Sequence, residues 1–157
     1  MDEHNFDGVR IFNRDKSGFS TVPSKISTVI ALRGMRRVDQ IASAERGTMV
    51  TMALIVSAGG NSIPPFFIFP RQRMETSFLD NVSPGTKGFA NGSGWMCQPE
   101  FVRYMRYFIE NVRPSVDSPV LLLLDNHTSH LSIEAIDMGI EHGVYMLSFP
   151  AYCSHNL

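Results

Sequence analysis

From Val120 to Leu124 five apolar residues run without a break, and at Asp125 the chain turns polar as Asp125-Asn126-His127-Thr128-Ser129-His130. A short unbroken apolar run with polar flanks predicts a strand buried on both faces, here over 120–125. Pro119 stands at its start, where a missing backbone donor is tolerated. Ser132 then precedes Ile133, Ile136 and Ile140, whose spacing predicts a helix over 133–142. Gly143 is a helix stop. Val144 to Phe149 reads as a further strand, closed by Pro150. The polar cluster therefore falls at the carboxyl end of a central strand, the usual place for a ligand site in an open α/β sheet.

Upstream, Val9 to Phe12 predicts a short strand, and Asn13-Arg14-Asp15-Lys16-Ser17-Gly18 a polar turn after it. Asp15 thus repeats the logic of Asp125, a carboxylate at a strand end. Pro23, Gly34 and Gly47 break the pattern over 20–47, which reads as a long loop with a minor strand at Val29 to Leu32. Thr48 to Ala58 is rich in β-branched and apolar residues; Gly59-Gly60-Asn61 then turns the chain into Ile63 to Phe69. That pair predicts a hairpin. Pro64 and Pro65 put its second strand at an edge, or delay pairing until after them. Met74 to Gly94 reads as a connection. Gln98-Pro99-Glu100 opens a helix that buries Phe101, Met105, Phe108 and Val112 and ends at Pro114. An antiparallel meander followed by helix, strand, helix and strand gives a mixed α/β sheet flanked by helices, the element order of the ribonuclease-H-like fold.

The chain has 157 residues, enough for one domain with a real core. Its 43% apolar and 18% charged content excludes an unfolded chain. A net charge of −1 gives no sign of a general basic face for nucleic acid; the local run Arg33, Arg36 and Arg37 hints at a phosphate contact, with a solvated loop as the simpler reading. Cys97 and Cys153 form no disulfide or metal framework and fit a reducing compartment. No apolar run spans a membrane, and the acidic start MDEHNFDGV is no secretory signal.

Asp125, His127 and His130 are residue types that ligate zinc. No further Cys or His falls at a familiar spacing, so the simpler reading has the two histidines hydrogen-bonding the turn. Trp95 reads as a core aromatic, with base stacking as the alternative. Cys153 and His155 lack the third group a nucleophilic pair would need.

Taken together, several pieces resemble the DDE-superfamily transposases of the pogo, Tigger and jerky branch. They are Asn13-Arg14-Asp15-Lys16-Ser17-Gly18-Phe19, Ser57-Ala58-Gly59-Gly60 with Ile63-Pro64-Pro65, Gly94-Trp95-Met96, Leu123-Leu124-Asp125-Asn126-His127 with Ser129-His130, and Leu147-Ser148-Phe149-Pro150 with Ser154-His155. They stand in the family's order over nearly the whole chain. The resemblance implies a ribonuclease-H-like core that cuts and joins DNA with two Mg²⁺ or Mn²⁺ ions, in the nucleus, with no membrane partner and with homo-oligomerisation left open. It assigns Asp15 and Asp125 as catalytic and metal-binding acids, and Asn126, His127 and His130 as their supporting neighbours. Two carboxylates on neighbouring strands repel without a cation between them, and hard divalent ions prefer carboxylate oxygens. Three departures stand out. The family has Asp-Glu-Thr-Gly where this sequence has Asp15-Lys16-Ser17-Gly18, so a cation stands beside the acid. The third acid lies in a Gln-Pro-Leu-Asp run beyond Ser154-His155, past Leu157, and the N-terminal DNA-binding helices have no counterpart. The expectation is a partial catalytic core, truncated after its last core strand and inactive by itself; a domesticated nucleic-acid-binding protein and a zinc hydrolase are the alternatives.

Overall fold

The computed structural model describes residues 6–22, 33–34, 47–130 and 132–150. Six strands form one sheet: β1 Ile11–Ser20, β2 Met49–Ser57, β3 Ser62–Pro70, β4 Lys87–Asn91, β5 Val120–Leu124 and β6 Val144–Ser148, in the order β4-β3-β2-β1-β5-β6. β1–β2 and β2–β3 are antiparallel, while β1–β5, β3–β4 and β5–β6 are parallel. Two helices, α1 Gln98–Val112 and α2 Ile133–Glu141, complete the regular structure together with three short 3₁₀ turns.

The expected hairpin, the α1 helix and the β5-α2-β6 succession all form at nearly the expected boundaries. β3 is an interior strand, flanked by β2 and β4. Its prolines are accommodated by a register shift between Ala53 and Ile55, and its pairing to β4 begins only at Phe66. The expectation that pairing starts after the prolines holds on the β4 side alone, because Ser62 and Ile63 already pair with β2 before them.

Three expectations change, and α2 packs differently from its apolar pattern. β1 does not end in a turn at Asn13: it stays paired to β2 from Phe12 to Ser20. A complete hydrogen-bonded ladder holds the strand although few of its side chains are apolar. Asp15 is therefore inside a strand and not at its end. Residues 87–91, read as connection, form β4, too short and too mixed to announce itself. In α2, Ala135 and Gly139 are buried while Ile133 and Ile140 remain 75% and 70% exposed. A close helix–sheet contact selects small residues: a Cβ at Gly139 would lie 3.2 Å from the Val144 carbonyl oxygen. Finally, Trp95 is 54% exposed, not a core residue; Met96 takes the interior position. The strand expected at Val29 to Leu32, together with Arg36, Arg37, Cys153 and His155, lies outside the described residues.

One face of the sheet makes the core. Phe12, Ala53, Ile55, Phe66, Ile68, Leu122 and Leu124 meet Phe101, Tyr104, Met105 and Phe108 of α1. Edge-to-face rings lock the layers, with Phe12 on Phe108 and Phe66 on Tyr104. The alternate residues of the strands point away from both helices. Leu54, Val56, Tyr145 and Leu147 on that second face are exposed, and Phe6 packs edge-on against Tyr145.

Candidate functional site

Parallel pairing of β1 with β5 runs through Ile11–Leu121 and Phe12–Leu122 and ends at Asn13–Leu123. Two residues beyond, Asp15 and Asp125 stand level along the two strands. There the strands part company. β1 continues along β2, while the chain after Leu124 leaves the sheet and forms the 3₁₀ turn Thr128–His130. The fork lies at the carboxyl ends of β5 and β6 and part-way along β1, and the carboxyl ends of strands are where such sheets bind ligands.

Alternation along β1 sends Phe12, Arg14 and Lys16 toward the helical face, and Asn13 and Asp15 the other way. Arg14 is fully buried in the core, an uncommon place for a guanidinium. Its charge centre lies 5.1 Å from the Tyr104 ring centroid and 6.0 Å from that of Phe101. Its Nη1 is 2.8 Å from His130 Nε2 and 3.7 Å from Asp125 Oδ1. Lys16 extends from the same side of β1 and brings Nζ to 3.8 Å from Asp125 Oδ2. Asp125 is thus held by two cations of β1, one on each carboxylate oxygen.

His130 is the hinge of this cluster. Arginine has no acceptor, so Nη1 donates and Nε2 accepts. The proton then sits on Nδ1, which donates to the Asp125 main-chain oxygen at 2.8 Å and lies 3.2 Å from Asp125 Oδ1. One imidazole thereby ties the turn to both Asp125 and β1. Burial, and next to it the Arg14 charge, push its pKa down to about 4, so the ring is neutral. Phe101 packs on the ring with centroids 4.6 Å apart.

His127 does what the simpler reading expected. Its Nδ1 accepts the Ser129 backbone N–H at 3.2 Å and meets Ser129 Oγ at 2.8 Å. Burial and the nearby Lys16 charge lower its pKa. Asn126 is exposed and, with His127 and His130, borders a cleft of about 330 Å³ between α2 and β6. A larger shallow hollow of about 700 Å³ between α1 and α2 is bordered by Arg106, Glu134 and Glu141, away from Asp125.

Asp15 is exposed, and its Oδ1 accepts the backbone N–H of Lys16 at 2.8 Å. Asp125 and His130 are therefore brought together, Asn126 and His127 stand beside them in the turn, and Asp15 faces the other side of the sheet. The zinc alternative fails on the same geometry. His130 has both nitrogens engaged, and among the described residues no group of three His, Cys, Asp or Glu side chains could hold a metal. A divalent-ion site fares no better in this arrangement. Asp125 Oδ1 is buried with no hydrogen bond of its own, as a ligand atom would be, but both carboxylate oxygens face cations and the second acid is turned away. These residues do not form a ligand set for the ion that the lineage implies.

Arg14 is the residue that sequence reasoning missed. The available signal was the alternation Phe12-x-Arg14-x-Lys16, masked because a run of polar residues reads as a turn. The exposed Trp95 has a local cause. Asn91 Oδ1 accepts the N–H groups of Ser93 and Gly94, and Gly94, with φ of 72°, presses against the Met49 carbonyl and Pro70. That turn carries Met96 inward.

A mixed six-stranded sheet in this order, flanked by helices, is a ribonuclease-H-like fold. A DDE superfamily endonuclease profile matches residues 47–157, and the chain belongs to that family. Asp125 lies inside the matched stretch and Asp15 before it. The fold is similar to that of the Mos1 transposase in its paired-end complex with the left transposon end, with a TM-score of 0.54 at 14% identity over 95% of this chain and 38% of that one. It is equally similar to the Mos1 mariner paired-end complex with Mn, with a TM-score of 0.54 at 16% identity over 92% of this chain and 37% of that one. The protein named MFS-type transporter clz9 from Cochliobolus lunatus is 27% identical over 151 residues, which are 94% of this chain and 16% of that protein. The chain thus spans well under half the length of each. Among the described residues no helix is long and apolar enough to cross a membrane.

Proposed function

We propose that the chain is a transposase-derived endonuclease domain of the pogo, Tigger and jerky branch. It engages DNA in the nucleus at the sheet edge bearing Asp15 and Asp125, and it does not cleave DNA in its present charge arrangement. Asp15 and Asp125 are the two acids of the lineage. Asn126, His127 and His130 are their supports. Supporting the DNA partner is membership of an endonuclease family, together with a fold shared with transposases solved on transposon ends. Supporting the non-cleaving state is one observation: the Asp125 carboxylate is taken up by Lys16 and Arg14. Phosphoryl transfer depends on neutralising the phosphate oxygens and aligning the attacking and leaving groups. Divalent ions supply this in the lineage. Here the positive charges at the fork belong to the chain and are already engaged by Asp125. The same observation favours a nucleic-acid-binding role over a catalytic one.

Two measurements on the purified chain test the reading. Fluorescence anisotropy with a duplex oligonucleotide should show binding that weakens with salt, as phosphate contacts require. Supercoiled plasmid with Mn²⁺ should stay uncut. No binding at low salt overturns the DNA partner. Mn²⁺-dependent nicking that disappears in Asp125→Asn overturns the non-cleaving state.

A further inference from the structure

We infer that Arg14 and Lys16 form a built-in counter-ion for Asp125, standing where a divalent ion would have to approach its carboxylate. The inference rests on the preceding reading only in taking Asp125 as the lineage's acid; it does not depend on DNA.

Each carboxylate oxygen of Asp125 faces a cation, and Oδ1 is buried. Arg14 Nη1 is 3.7 Å from Oδ1 and Lys16 Nζ 3.8 Å from Oδ2. An ion bound to either oxygen sits about 2.1 Å from it. It would then lie within about 6 Å of the cation that faces that oxygen, a separation at which charges in a partly buried site repel strongly. Arg14 cannot withdraw. Its side chain is wholly buried, capped by the rings of Tyr104 and Phe101 and fixed by His130. Two of its nitrogens, Nε and Nη2, find no acceptor, so the guanidinium depends on Asp125 for its compensating charge. Lys16 is the adjustable member, with its side chain 22% exposed. It is also the position where the sequence departs from the acidic residue of the resembling family. Asp15 cannot compensate from its side, since it alternates to the other face and closes on the Lys16 backbone N–H.

The two arrangements predict opposite signs. If Asp125 belonged to an empty metal site with a second carboxylate beside it, removing its charge would relieve repulsion and raise the stability of the metal-free protein. If it is the counter-ion of a buried guanidinium, removing its charge strands that cation and lowers stability. Thermal melts of the full 157-residue chain, metal-free and with millimolar MnCl₂, decide between them.

Asp125→Asn should melt lower than wild type without metal, and Mn²⁺ should leave the wild-type midpoint unmoved. Lys16→Glu, at a part-exposed position that tolerates substitution, should bind Mn²⁺ roughly ten-fold tighter than wild type by titration followed through the Mn²⁺ electron paramagnetic resonance signal. Adding Asp125→Asn to Lys16→Glu should abolish that gain. A higher metal-free midpoint in Asp125→Asn overturns the inference. So does a wild-type midpoint that rises with Mn²⁺ and loses the rise in Asp125→Asn. If Asp125→Asn does not fold, the Lys16→Glu titration still decides, and equal Mn²⁺ affinity in the two proteins overturns the inference. Failure of the DNA-binding reading would leave all of these results unchanged.

Discussion

Replacing Arg14 by Met should be nearly neutral, and it should erase most of the cost of Asp125→Asn. Arg14 is buried completely, with one hydrogen-bond partner in His130 and two nitrogens that have none. Each buried unsatisfied donor costs about 1–3 kcal/mol, and methionine removes both while keeping a long apolar stem among Phe101 and Tyr104. Against this stand the His130 hydrogen bond, about 1 kcal/mol, and the contacts over two rings, about 1 kcal/mol more. Arg14→Met should therefore fall within about 1 kcal/mol of wild type, with either sign. Asp125→Asn is different because the guanidinium stays behind. Breaking a fully buried pair costs about 3–5 kcal/mol, but Asp125 keeps a third of its side chain exposed and sits 3.7 Å away. A loss of about 2 kcal/mol is the better figure, about 4–8 °C in melting temperature for a chain of this size. In the Arg14→Met background the same change should cost almost nothing. The coupling, about 2 kcal/mol, is read from chemical denaturation of the four proteins of the cycle, and it should persist in high salt because the guanidinium is buried. Additivity within about 0.5 kcal/mol would show that Arg14 and Asp125 do not depend on each other.

Three further outcomes follow from the packing. His130 is held neutral, with a pKa of about 4 set by burial and by Arg14, while Asp125 and Lys16 also face it; the unfolded chain takes up the proton first, near about pH 6.5. Stability should accordingly fall as pH drops from about 6.5 toward 4, by about 2 kcal/mol at about pH 5, and denaturation curves of His130→Gln should show that acid limb flattened; an unchanged limb refutes the neutral ring. On α2, Ile133→Ser and Ile140→Ser should each cost under about 0.5 kcal/mol, whereas Ala135→Leu should cost about 1–3 kcal/mol by overpacking; the reverse ranking in melts would mean that the helix presents its isoleucines inward. Gly94→Ala should cost more than about 1 kcal/mol, because φ is 72° and its Cβ would run into the Met49 carbonyl; a wild-type midpoint would refute the close approach.

Where burial and periodicity coincide, the fold was legible in the sequence. The run Val120–Leu124, the hairpin around Gly59-Gly60 and the helix opened by Pro99 are all determined by local pattern. The resemblance to DDE transposases pointed to the same edge of the sheet. The errors share a physical cause, which is that tertiary contacts override local pattern. β1 runs through six polar or glycine residues because β2 pairs with it row by row. α2 carries a clean isoleucine stripe, but the sheet approaches so closely that Ala135 and Gly139 are selected for the contact. Trp95 is turned outward by a three-residue cap from Asn91 that no hydrophobicity scale registers. Arg14 was masked for a related reason. Alternation with Phe12 and Lys16 hints at its face, but its burial depends on which carboxylate the fold brings to it.

The fork between β1 and β5 is what makes that carboxylate available. As long as two parallel strands stay paired, their side chains alternate in step, and Asp15 and Asp125 would share a face. Pairing stops at Asn13 and Leu123, two rows earlier. The chain after Leu124 is then free to turn, and His130 fixes the turn by donating to the Asp125 main-chain oxygen. Asp125 swings toward the helical face and Asp15 does not. The same divergence that opens a ligand cleft in this class of sheet here separates the two acids. Each finds compensation within the chain: Asp125 from Arg14 and Lys16, Asp15 from a backbone N–H. With His130 neutral, two carboxylates stand against two cations, so the formal charge at the fork is zero without any ion. A site in that state has no electrostatic demand for a divalent cation. Restoring the demand takes a change at Lys16, the part-exposed member, and leaves the buried Arg14 in place.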